Sequence, residues 1–337
     1  MSLIPFLHRV VSGGDLSAEE AYQAMSLLLA GGEGDAAIAG FLVALKMKGE
    51  TAPELAGFAR AMREQMIVVD AHPDVVDTCG TGGDGSGTFN ISTVAALVMA
   101  GAGARIAKHG NRSLSSQTGS ADVLEALGVR ITMTPQEAAR AIREVGIGFL
   151  FAPSLHPAMK VAQPVRRALK MQTVFNLLGP LANPARAQRQ LIGAPSAKAA
   201  RLIAEALAEL GTAGAFVVHG HDGLDEITTT GPTDVWQVSA GHAEMHVWSP
   251  ADFGVTQANL DDLAGGDAAD NARIAREILE GCPGPRRDIV LVNAAAGLIA
   301  AGLVAGMREA VQVAAHSIDS GSAAEKLELL RKNFPVA

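Results

Sequence analysis

Through about the first 70 residues, apolar positions recur at three- and four-residue spacing, and no stretch alternates like a strand. Ser17 with Glu20 forms a capping box that opens a helix over AEEAYQAMSLLLAGG, and Gly31-Gly32 ends it. A second apolar segment runs from Asp35 to Met47, and Thr51 with Glu54 opens another helix reaching about Met66. This pattern predicts a small helical domain over 1–70.

The pattern changes after Pro73. VVDTC is a short β-branched run, a glycine loop follows, and Asn90-Ile91-Ser92-Thr93 leads into the helix VAALVMAGAG. ARIA then reads as a second strand, completing a βαβ unit. KHGNRSLSSQTGS reads as a long polar loop, Ala121–Leu127 as a helix, VRITM as a strand, and Thr134-Pro135 with Glu137 as a helix start. GIGFLFAP is another strand. Pro157, Pro164, Pro180 and Pro184 then bracket segments that break the rhythm and pass back toward the helical domain. LIGAP, a helix over Ser196–Leu210, AFVVHG and ITTTG resume the alternation, and the chain from Asp267 onward is mostly helical. The expected architecture is α/β: a largely parallel central sheet flanked by helices, with a separate small all-helical N-terminal domain. The helical domain is expected to be completed by about 160–185, leaving 71–159 and 186–337 as the large α/β domain.

Composition narrows the classes. At 48% hydrophobic and 4% aromatic, the core is built from Ala, Leu, Val and Ile, which suits helices packed closely on a sheet. A net charge of −8 argues against a nucleic-acid-coating protein. Two cysteines, Cys79 and Cys282, provide no disulfide framework, and the N-terminus shows no signal-peptide pattern, so a cytoplasmic location is expected. Ile289–Met307 is long and apolar, but it is rich in Ala and Gly, contains Asn293, and lacks an aromatic belt. A buried core helix is expected there, not a membrane span.

Against this acidic background one stretch, Thr78–Asp122, is basic and crowded with glycines and hydroxyls: Arg105, Lys108 and Arg112 face a single acid, Asp84, before Asp122. Such a stretch points to a specific anion site. Gly80-Thr81-Gly82-Gly83-Asp84-Gly85 satisfies GxGxxG, but the helix begins several residues after the last glycine, and Arg105 stands where a ribose-binding acid would be. No Lys-Ser or Lys-Thr completes a phosphate-binding Walker loop. What remains is a loop of convergent N–H groups and a helix N-terminus at Asn90–Thr93, two anion cradles suited to a ligand phosphorylated at two positions.

Taken together, DTCGTGGD, FNIST, KHGNRSLSS, GSAD, FLFAP, HPAMK, PVRR, FNLLGPLANP, VVHGHDGLDE and LAGGDAADNA, in this order, resemble the anthranilate phosphoribosyltransferases across nearly the whole chain. The resemblance implies transfer of the phosphoribosyl group of phosphoribosyl pyrophosphate (PRPP) to the amino group of anthranilate, with Mg²⁺ and release of pyrophosphate. It places PRPP contacts on Gly80, Gly83, Asp84, Thr88, Asn90, Ile91, Ser92, Thr93, Lys108, His109, Gly110, Asn111, Arg112, Ser113, Leu114, Ser115, Ser116 and Ser120. It places anthranilate on Gly80, Asn111 and Arg166, and metal on Ser92, Asp225 and Glu226. Lys108 and Arg112 are expected to grip phosphate groups, and Arg166 the anthranilate carboxylate. The aniline nitrogen is already a nucleophile, so no general base is required, and His109 is expected to be structural. A homodimer through the helical domain is expected, with no nucleic-acid or membrane partner. Leu155 stands where the family often has a histidine before His156, and Gln172 where an arginine often precedes Thr173. The competing readings are a pyrimidine nucleoside phosphorylase-like enzyme, against which the FNIST run and Asp225-Glu226 argue, and a non-enzymatic nucleic-acid-binding paralogue, against which the net charge argues.

Overall fold

A computed structural model describes residues 2–113 and 118–336. The N-terminal layer holds four helices: α1 (Ile4–Val11), α2 (Ala18–Ala30), α3 (Asp35–Lys48) and α4 (Ala52–Gln65). Both expected capping boxes form, at Ser17/Glu20 and Thr51/Glu54, and Gly31 closes α2 in the left-handed conformation at φ 78°. Glu54 does more than cap: fully buried, it also accepts the Leu16 N–H and pairs with Lys48 at 3.0 Å. Later chain returns to this layer. The helix Gln163–Leu169 packs on α3 and the turn Phe175–Leu178 on α4, while Arg63 donates to the Leu181 carbonyl at 2.7 Å.

The remainder is built on one seven-stranded sheet: β1 (Val75–Gly80), β2 (Arg105–Gly110), β3 (Ile147–Phe151), β4 (Arg189–Gly193), β5 (Gly214–Gly220), β6 (Thr233–Ser239) and β7 (His242–Trp248), in the order β3-β2-β1-β4-β5-β6-β7. The first five strands in that order are parallel and the last two antiparallel. From β1 the chain first adds strands on one side (β2, β3) and then on the other (β4, β5). The switch point therefore lies between β1 and β4, where open α/β sheets place their ligand crevice.

Helices cover both faces. α5 (Ile91–Gly101) is apolar nearly all round and packs against the equally buried helix Pro285–Ala300, as expected for a helix inside a core rather than on its surface. α6 (Ser120–Ala126) and α7 (Pro135–Glu144) lie on the same side, within the core cluster that includes Ile106, Leu124 and Ile142. On the other face the helix Ala197–Glu209 joins a core continuous with the helical layer, from Phe41 and Phe58 to Ile192 and Val217.

Three expectations about elements are corrected. VRITM is not a sheet strand. Ile131 and Met133 are buried in alternation with exposed Thr132, but among the described residues the segment pairs with the C-terminal residues, through the Val129–Pro335 bridge and the Arg130 N–H to Phe334 carbonyl bond. ITTTG is likewise no strand. The sheet instead continues through the β6–β7 hairpin, turned by Ala240 and Gly241, both at positive φ (49° and 78°) as a two-residue hairpin loop demands. The long apolar run from Ile289 is not one helix. It stops at Ala300, Gly302 takes φ 74°, and a new helix begins at Met307. Among the described residues no helix is long and apolar enough to cross a membrane.

Candidate active site

At the switch point, β1 and β4 end side by side, Gly80 paired with Gly193, and the Thr81 N–H donates to the Gly193 carbonyl at 3.0 Å. The loop that leaves β5 folds back over these two ends. Asp225 sits so close that a Cβ at Gly193 would overlap its carbonyl oxygen, and one at Gly80 would overlap its carboxylate. The carboxylate also accepts the Gly82 N–H at 2.9 Å. Glycine is required at both strand ends by this close approach, not by backbone twist. Sequence reasoning finds Gly80 and misses Gly193.

The neighbouring acid faces α5. Glu226 accepts the Ser92 N–H at 3.1 Å, so the N-terminus of α5 already holds a carboxylate, as its dipole favours. Lys108, buried at the end of β2, donates to the Thr78 carbonyl at 2.6 Å and to the Ser92 hydroxyl at 3.3 Å. Ser92, Lys108, Asp225 and Glu226, from three separate segments, thus meet in one place.

Burial governs the electrostatics. Asp225 keeps some open surface, yet protein surrounds it densely enough that burial, and then the charge of Asp84, push its pKa up to about 7. Burial and the Asp225 charge push Glu226 well above the usual carboxylate range. Lys108 is pushed down by burial, against the pull of Asp77 and the two site acids. One ammonium therefore faces more negative charge than it can balance.

Two residues that the sequence left unassigned fix this end of β2. Asp77, fully buried, accepts the His109 N–H at 3.1 Å and an N–H of Asn183 at 2.8 Å, and Asn183 also donates to the Ala107 carbonyl at 2.9 Å. The His109 ring reaches the Gly179 carbonyl through Nδ1 at 3.1 Å, which requires Nδ1 to carry the proton. Its ring centre lies 5.1 Å from that of His156. Burial depresses their pKa values to about 3 and about 4, so both are neutral imidazoles.

The remaining candidates divide. Gly83 takes φ 83° in the glycine loop; Asp84 accepts from Ser86; Thr88 pairs with Ala264 in an isolated bridge. Asn90 donates to the Thr118 carbonyl and accepts from Asn271, which ties the Gly265-Gly266 turn to the start of α5. The Ile91 side chain is buried in the core and its N–H bonds to the Phe89 carbonyl; Thr93 is also buried. Gly110 touches the Ser120 hydroxyl and the Phe149 ring so closely that no side chain fits, and Ser120 donates to the Asn111 carbonyl. Arg112 is turned onto α6, bound by Asp122 at 2.7 Å and Glu125 at 2.6 Å. Asp122 also accepts the Ser113 and Gly119 N–H groups. Leu114, Ser115 and Ser116 lie outside the described residues.

Arg166 lies in the helix Gln163–Leu169, half-buried over the Phe175 ring at 5.3 Å, with no ion-pair partner among the described residues. Of the two departures from the family pattern, Leu155 is buried, and its carbonyl accepts the Ile67 N–H. Gln172 lines a cavity of about 140 Å³ between the helical layer and the glycine loop, with Lys46, Thr81 and Lys198.

Comparison with known proteins bears on what this arrangement does. Residues 4–66 match the Glycosyl transferase family, helical bundle domain, and residues 72–324 the Glycosyl transferase family, a/b domain. The anthranilate phosphoribosyltransferase of Solibacter usitatus is 58% identical over 98% of both chains. The crystal structure of anthranilate phosphoribosyltransferase from Thermus thermophilus superposes with a TM-score of 0.92 at 43% identity, covering 99% of each chain. The Saccharomyces cerevisiae enzyme, solved in complex with PRPP and Mg, gives 0.90 at 29% identity over 98% of this chain and 97% of that one.

Proposed function

Because the chain belongs to the anthranilate phosphoribosyltransferase family, we propose that the crevice at the ends of β1, β4 and β5 is where it joins its two substrates. It moves the 5-phosphoribosyl group of PRPP to the amino group of anthranilate. The ribose C1–oxygen bond to pyrophosphate breaks, a C1–nitrogen bond forms, and the amine gives up a proton. The single observation that carries the site assignment is the convergence of Ser92, Lys108, Asp225 and Glu226 against the glycine loop.

The residues fit Mg²⁺. Two adjacent acids with raised proton affinity sit beside a single buried ammonium, an excess of negative charge that a cation relieves. Asp84, a third carboxylate, lies close enough for its charge to raise both acids further. This all-oxygen set suits magnesium, which prefers to keep water and take substrate phosphate oxygens. Asp225, Glu226 and the Ser92 hydroxyl would hold it, and when bound it supplies neutralisation of the charge on pyrophosphate.

The chain's own groups do the positioning. The glycine loop and the residues opening α5 are assigned to the phosphate groups, although the Thr81, Gly82, Ile91 and Ser92 N–H groups already bond protein acceptors, and Lys108 adds a point charge next to Ser92. Arg166, desolvated and unpaired among the described residues, is suited to the anthranilate carboxylate, and the family resemblance assigns Asn111 and Gly80 to the same substrate. A substrate carboxylate would compensate the charge that burial disfavours there. The ribose passes through an oxocarbenium-like state, so fixed charges and alignment, not a protein base, carry the rate. The neutral His109, held by Gly179, is assigned a structural role.

The same reading takes segment 160–185 as completing the helical domain, supported by its packing on α3 and α4. It takes the chain as a cytoplasmic homodimer through that domain. Exposed apolar Ile4, Val11 and Met47 support the dimer, and the free Cys79 and Cys282 support the compartment. Replacing both acids, Asp225→Asn with Glu226→Gln, should cripple turnover and alter its Mg²⁺ dependence; unchanged kinetics would remove the metal role.

A further inference from the structure

Asn293 is the fully buried polar residue inside the apolar helix Pro285–Ala300. Its Oδ1 accepts the Ile227 N–H at 3.0 Å, and its Nδ2 donates to the Ile227 carbonyl and to the Ile289 carbonyl of its own helix, both at 2.9 Å. A buried amide is costly unless paired, and a leucine would serve the helix packing without that risk. Two of its three bonds grip a single backbone residue, 66 positions away and immediately after Glu226.

The consequence for the acids is geometric. The Ile227 N–H belongs to the same rigid peptide plane as the Glu226 carbonyl. The bond to the Ile227 N–H sets how that plane is turned and the bond to its carbonyl sets the plane that follows, so together they hold the backbone from which the Glu226 side chain leaves. On the far side of the loop, Asp222 accepts the Leu224 N–H and the hydroxyls of Thr228 and Thr230, closing the turn around the acid pair.

We propose that Asn293 is a positioning residue for the metal-binding acids: through Ile227 it presents Glu226 and Asp225 to the ion without touching it. This rests on the assignment of those acids to Mg²⁺. Groups that orient metal ligands from behind change metal affinity by about 10- to 100-fold when removed.

The test compares Asn293→Ala with Leu298→Ala, a cavity in the same helix at an equally buried position. Mn²⁺ binding in the presence of PRPP is read by electron paramagnetic resonance, with thermal midpoints alongside. Asn293→Ala should weaken Mn²⁺ binding about 10- to 100-fold, whereas Leu298→Ala should lower the midpoint and leave metal affinity at the wild-type value. If both variants lose stability and both bind Mn²⁺ like wild type, Asn293 is structural only and the proposal is overturned. Should Asn293→Ala not fold, Asn293→Ser, whose hydroxyl can bond back to its own helix, must show the same weakening; wild-type affinity there overturns it equally. Asp225→Asn with Glu226→Gln separates the two layers. Lost binding in that variant with unchanged binding in Asn293→Ala removes only the positioning role, and wild-type binding in that variant overturns the metal assignment and this inference together.

Discussion

The Gly82 N–H donates to the Asp225 carboxylate at 2.9 Å, across 143 residues of sequence. The glycine loop and the acid loop are therefore one mechanical unit, closed by Gly80 and Gly193 beneath it. Gly193→Ala should push the Asp225 backbone out of place and lower kcat by about 100-fold, the scale of loss for a displaced reacting group. Gly34→Ala, at an ordinary φ of −71° with nothing near its Cβ, is the control and should leave kcat unchanged. Steady-state kinetics on the two variants checks this.

Asp225 is held ionised at a cost. Its folded pKa of about 7 lies above the unfolded value, so above pH 7 the buried charge destabilises the metal-free protein, and the penalty fades as pH falls through 7. Asp225→Asn removes that charge. At pH 8, without metal or substrate, the variant should unfold at equal or higher denaturant than wild type, while its turnover collapses. A midpoint well below wild type would mean the carboxylate is a structural ion-pair partner instead.

His109 and His156 act in the opposite sense. Both are depressed, to about 3 and about 4, so the unfolded chain takes up protons at a higher pH than the folded one. Their contribution to stability is full above about pH 6.5 and is lost as pH falls toward 4, for His156 by on the order of 3 kcal/mol. The acids pull the other way, so the informative quantity is the difference between wild type and His156→Asn. That difference should shrink steadily from pH 7 to pH 4.5 in chemical denaturation. A constant difference would place His156 in contact with water.

Arg166 stacks on Phe175 without a carboxylate among the described residues. Arg166→Ala should raise the KM for anthranilate at least about tenfold, as expected on losing a charge-assisted pair, and that for PRPP far less. The reverse pattern in initial-rate measurements would mean that the two substrate sites have been exchanged.

The candidate site was legible in the sequence wherever its residues left an unusual local composition. Glycines crowded after a strand, hydroxyls before an apolar helix, and adjacent acids past a buried strand each stand out from their neighbours, and Gly80, Ser92, Lys108, Asp225 and Glu226 do converge. What stayed hidden acts through distant partners. Asn183 meets Asp77 across 106 residues, Asn271 meets Asn90 across 181, and Asn293 looks from sequence only like a flaw in an apolar helix. Gly193 is invisible because its reason, the Asp225 carbonyl, comes from another loop. Arg112 shows the converse: a cation expected to grip phosphate is bound by Asp122 and Glu125 on α6. In the fold, the β6–β7 hairpin was there to be found, in the run Val235-Trp236-Gln237-Val238, rich in β-branched and aromatic residues, and the Ala240-Gly241 turn. VRITM alternates cleanly yet lies outside the sheet, because period two reports one-sided burial and not which segment lies alongside.

The reaction itself is tested most directly by anthranilate fluorescence. Mixed with PRPP and Mg²⁺, the purified protein should extinguish it, and omitting either should leave it unchanged. Persistent fluorescence under all conditions, with phosphorolysis of uridine or thymidine instead, would contradict the assignment.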